Sequence, residues 1–187
     1  MQYLASKARV ANRGVPPDSF LAELIAWGRS APSSLFAPND CPSDIYAHLR
    51  PLLGPWPCDD AIPYRRAAML EAMRVHAGFE SSWNWSEGVD TTNHASLAHL
   101  SGQETGVFQV SFDSTGLDRS LFDFAESNGV STADRFIPRM KSDHPLALDY
   151  YARLVRVSVA WAGPILRHEI DPWISKDAVA EFRSLLA

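Results

Sequence analysis

Residues 63–83 read PYRRAAMLEAMRVHAGFESSW, and this stretch decides how the rest of the chain is read. Pro63 suits a first helical turn, where its missing N–H is not needed. Ala, Met, Leu, Glu and Arg then fill an interior of strong helix formers. Met69, Met73, His76, Glu80 and Trp83 recur at spacings of four, three, four and three, so they share one helical face. That face is apolar except for His76 and Glu80. Glu80 is therefore expected to point toward the core or a cleft wall.

A carboxylate so placed is costly to ionise, and its pKa is expected to rise. A raised pKa is what a general acid needs near neutral pH. The plainer reading is a helix-terminal Glu that bends outward into water. The aromatic crowding in GFESSWNW, residues 78–85, favours the first.

Working outward, helices are expected on both sides of this segment. Asp18 follows Pro16-Pro17 and is placed to cap SFLAELIAWGRS. Residues 42–53 form a shorter helix broken by prolines. Residues 86–105 are polar and read as a long loop, followed by GVFQVSF at 106–112, a short β-like run. LDRSLFDFAESNG is helical with Gly129 as its stop. TADRFIPRM and PLALDYYARLVRVSVAWAG follow as helices, and Ser175 caps a last helix through Leu186. The fold class is mainly α (α+β), with a small β element in the middle. One domain is expected, with residues 1–60 as an N-terminal helical part and 61–187 as the core that carries the chemistry.

The 187 residues are 46% hydrophobic and 21% charged, ordinary for a packed domain. A net charge of −5 and a pI near 5.6, with scattered basic residues, argue against nucleic-acid binding. No run reaches the ~18 apolar residues of a membrane span. The N-terminal MQYLASKARVANRG has no apolar region of a secretory signal. Cys41 and Cys58 either form one bridge, which would imply an oxidising compartment, or stay as thiols. His76, His94 and His99 match no common zinc spacing, so no metal and no cofactor are expected. HEIDPW and SKDAVAEF read as helix surface and caps.

GFESSW followed by GVFQVS resembles the lysozyme-like superfamily, in particular goose-type lysozymes and lytic transglycosylases. The shared pattern is a helix ending in Glu-Ser, here Glu80-Ser81, a loop, and a Gly-x-x-Gln-aliphatic strand, here Gly106 to Val110. Glu80 and Gln109 lie 29 residues apart, longer than is usual for the goose-type pattern. AWAGP at 160–164 is similar to a transglycosylase segment with an aromatic near Ala-Gly. The resemblance covers roughly residues 65–165.

The resemblance implies a helical bundle with a small β element flanking a polysaccharide cleft. It implies Glu80 as proton donor to a glycosidic oxygen, with Ser81 and Gln109 beside the sugar. Trp83, Trp85 and Phe108 would stack on sugar faces or shelter Glu80, with core packing an equal reading for Trp83 and Phe108. An inverting hydrolase needs a second carboxylate roughly 6.5–9.5 Å away. Glu87, Asp90, Glu104 and Asp113 are the candidates. Asp90 is favoured, with Glu104 and Asp113 behind it.

The expected activity is a peptidoglycan muramidase cleaving bonds between N-acetylmuramic acid and N-acetylglucosamine. The expected setting is a monomeric antibacterial effector. A type VI secretion machine would deliver it, without a cleaved signal, into a target bacterium's periplasm. A cognate immunity protein would then guard sister cells. A phage endolysin or tail enzyme is a second setting. Alternatives are a lytic transglycosylase, a chitinase-like or chitosanase-like enzyme, and a non-catalytic glycan-binding domain.

Overall fold

A computed structural model describes residues 3–57, 61–89 and 98–187. The described chain is mainly helical, and the 63–83 stretch lies at its centre. Helix α3, Ala61–Ser81, is buried almost all round from Ala67 to Gly78. A helix buried on every side is a core helix, not a surface one. It is wrapped by α1 (Asp18–Ser30), α2 (Ile45–Leu53), the single turn α7 (Gly163–Leu166) and α8 (Lys176–Leu186). Helices α4 (Arg119–Ser127), α5 (Ala133–Ser142) and α6 (His144–Val157) form a second group that reaches the first through α1–α6 packing. One cluster of buried residues runs from Val10 to Phe182, so 1–60 and 61–187 share a core. No helix among the described residues is long and apolar enough to cross a membrane.

Full burial of α3 encloses two charges that a helical wheel would turn outward. Glu71 and Arg74 are both inaccessible, paired at 2.7 and 2.8 Å through two guanidinium nitrogens. The Ser175 amide donates to Glu71 at 2.9 Å, and Arg74 donates to the carbonyls of Ala8 and Trp173. The pair thereby ties α3 to the N-terminal segment and to the start of α8. Such a pair holds only when its remaining hydrogen-bonding capacity is met, as it is here.

Several expected boundaries hold. Gly129 takes φ +71 after α4, and the Ser175 hydroxyl accepts from the Ala178 amide. Others move. Asp18 is the first residue of α1 rather than its cap, and it pairs with Lys7. Helix α6 stops at Val157, short of the expected run through Gly163. There Ser158 is extended and the Val159 amide is drawn away to the Ser43 carbonyl at 2.9 Å.

The expected β run at 106–112 is a tight turn closed by one bridge, Thr105 to Val110, and no strand occurs among the described residues. Gly106 (φ +71) and Gln109 (φ +47) curl the backbone, so Val107 and Phe108 enter the core from a turn tip. A Cβ on Gly106 would come within 2.8 Å of the Met140 carbonyl oxygen, which reserves the position for glycine.

Candidate functional site

The end of α3 is built by a reversal. Ser82 and Trp83 both take left-handed φ, +52 and +63. Trp83 is thus outside the helical stripe that its spacing suggested. Its ring folds back over Gly78, where a Cβ would come within 2.7 Å, and its indole N–H donates to the Arg74 carbonyl at 2.8 Å. Trp83 is buried and offers no face to a sugar.

This reversal leaves Glu80 in the last turn of α3 with its side chain 23% exposed, opening on a cleft of about 380 Å³. Ser81, next to it, is buried. Its hydroxyl donates to the Val107 carbonyl at 2.9 Å and so fastens the 105–110 turn to the helix end. Ser81 therefore holds the cleft together from behind and does not line it. The turn presents Gln109, whose amide nitrogen donates to the Gly106 carbonyl at 2.8 Å, on the same cleft as Glu80.

Behind Glu80 lies a stack of three rings. Tyr151 is parallel to Phe108 (centroids 4.0 Å, 7°) and to His76 (5.0 Å, 16°). Phe108 is buried in this stack and is not a sugar platform. His76 Nε2 lies 3.2 Å from Glu80 Oε1, inside ion-pairing distance. The approach is off the line that a hydrogen bond needs. Among the described residues no hydrogen-bond partner meets either ring nitrogen of His76 or the Tyr151 hydroxyl. The Tyr151 pKa is held well above the usual tyrosine value, first by burial and then by the Glu80 charge. Buried polar groups without partners are unusual.

The cleft is rich in carboxylates. Glu87, Glu104 and Glu169 line it with Glu80, and Arg13 and Arg167 supply positive charge. Arg167 forks onto Glu169 at 2.8 and 3.2 Å, which holds the Glu169 carboxyl below the usual range. Glu87 accepts from the Asn84 side chain at 2.9 Å. A second depression of about 250 Å³ is lined by Glu104, Gln109, Asp113 and Trp161. Glu104 and Gln109 border both depressions, which adjoin as one groove.

Of the residues singled out from the sequence, Glu80, Glu87, Glu104 and Gln109 meet on one cleft, and Asp113 lies on its extension. Trp85 is half-buried, with its ring stacked on His144 at 3.9 Å and 6°. One face of the ring is thus covered by His144. Asp90, Cys58 and His94 lie outside the described residues, so the favoured second carboxylate and the Cys41–Cys58 bridge do too. Cys41 Sγ is 3.2 Å from the Ser43 hydroxyl.

Three charged cleft residues, Arg13, Arg167 and Glu169, went unread in the sequence. Glu169 belongs to HEIDPW, which reads as helix surface and caps, and Arg167 directly precedes it. Trp161, 48% exposed, is the aromatic of AWAGP and the accessible ring on the groove. Gly163 of the same motif leaves room for Arg167, whose guanidinium would meet a Cβ there at 2.7 Å. No family model matches the chain, and no curated protein or solved structure matches it either.

Proposed function

We propose that the protein is a lysozyme-like glycoside hydrolase of peptidoglycan, cleaving between N-acetylmuramic acid and N-acetylglucosamine, with Glu80 as general acid. The observation that carries this reading is the joint placement of Glu80 and Gln109 on a carboxylate-lined cleft, by the Ser81 bond that pins the Gly106–Val110 turn to the end of α3. Glu80 protonates the leaving glycosidic oxygen, and a second carboxylate orients the attacking water. Among the described acids Glu104 suits that role best, because it borders both parts of the groove. Glu87 and Glu169 border only the first depression, and Asp113 only the second. Trp161 offers a ring on which a sugar can stack, and Arg13 suits the acidic groups of the stem peptides.

The biological setting in this reading is an antibacterial effector acting in a rival's periplasm. Its cognate immunity protein would plug the groove. Digestion of purified peptidoglycan followed by mass spectrometry tests the reaction. Hydrolysis yields muropeptides with free reducing ends. Anhydro-muramyl ends would instead assign a lytic transglycosylase. Binding to peptidoglycan without any cleavage would assign a glycan-binding domain.

A further inference from the structure

Away from Glu80, two histidines and an aspartate from distant parts of the chain converge. His48 sits on α2, and His168 and Asp171 follow the α7 turn. His48 Nε2 is 2.7 Å from Asp171 Oδ1, and His168 Nδ1 is 2.8 Å from Asp171 Oδ2. The two imidazoles stack with centroids 4.9 Å apart at 28°. One ligand atom from each residue lies within 4.8 Å of the others, the one such group among the described residues. His168 takes φ +59, a conformation that costs a non-glycine residue energy and that here accompanies its contact with Asp171.

We propose that His48, His168 and Asp171 bind a divalent transition-metal ion, with zinc as the natural occupant. Two imidazole nitrogens and one carboxylate oxygen are a donor set for zinc and its neighbours. Calcium and magnesium prefer oxygen ligands throughout. Zinc bonds of ~2.0–2.2 Å in a tetrahedron set donors roughly 3.3–3.5 Å apart. The present N–O contacts of 2.7 and 2.8 Å are hydrogen bonds, which a bound ion would replace and widen. His48 and Asp171 are mostly enclosed, with side chains 9% and 23% exposed, while His168 is 70% exposed. Metal therefore enters from the His168 side, and water completes the coordination.

The site would join α2 to the segment that carries Arg167 and Glu169, so the ion would brace one wall of the cleft. Zinc binding is read without substrate, so this site stands or falls independently of the glycosidase reading.

The test is calorimetric titration of zinc chloride into the metal-stripped, tag-free full chain, with cobalt(II) absorption as a second probe. The wild type is expected to bind one equivalent with micromolar affinity and to melt at a higher temperature with zinc. His168→Asn, which keeps a residue tolerant of left-handed φ, is expected to weaken binding at least tenfold and to lose the zinc-dependent rise. Asp171→Asn should do the same. Because His168 is exposed, its variant decides the matter if Asp171→Asn does not fold. Absence of binding to the wild type overturns the site, as does one-equivalent binding that His168→Asn leaves unchanged.

Discussion

His76 Nε2 stands 3.2 Å from Glu80 Oε1, one helical turn away, with the histidine buried and the glutamate facing the cleft. The imidazole is packed against Tyr151 and cannot turn away without disturbing the ring stack. It therefore fixes where the carboxylate can stand. His76→Phe keeps a ring in the stack and removes both buried nitrogens. Stability should hold or rise, because two buried nitrogens without partners are removed. In the proposed reaction, kcat should fall about ten- to a hundredfold from misplacement of the acid, with KM changed little. Thermal melts and steady-state turnover on soluble glycan check the two halves.

The Trp83 ring over Gly78 makes a second, purely structural prediction. Gly78→Ala brings a Cβ to within 2.7 Å of that ring and should cost about 1–3 kcal/mol. In a Trp83→Leu background the same change should cost much less, since the clashing ring is gone. Urea unfolding of the four proteins measures the difference.

The Glu71–Arg74 pair is buried without water access on either side chain. Glu71→Met strands the guanidinium in the core and should cost about 3–5 kcal/mol. Adding Arg74→Met should recover a large part of that loss, because the unpaired charge is then removed. The same urea series reads this coupling.

These examples mark what the sequence could disclose. Periodicity found α3, and local chemistry found the stop at Gly129 and the start at Ser175, because a helix and its caps are written within a few residues. The pairing of Glu80 with Gln109 on one cleft was legible only through the resemblance that two short motifs carry. Trp83 was misread because the left-handed backbone of Ser82 and of Trp83 itself reverses the chain, and a helical wheel cannot register that. GVFQV alternates as a strand would, yet Gly106 and Gln109 curl it into a turn. Glu71 and Arg74 look like surface charges until the whole of α3 is enclosed. Arg167, Glu169 and the His48–His168–Asp171 group depend on contacts between distant segments, which no local pattern encodes.

The central claim concerns Glu80. Glu80→Gln keeps the size of the side chain and its hydrogen-bonding shape, and removes only the transferable proton. Lysis of purified peptidoglycan, measured for wild type and this variant at matched folding by circular dichroism, tests it most directly. The account predicts that the wild type lyses the wall and that Glu80→Gln loses about 10²–10⁴-fold in rate. Lysis by the variant at the wild-type rate would contradict it.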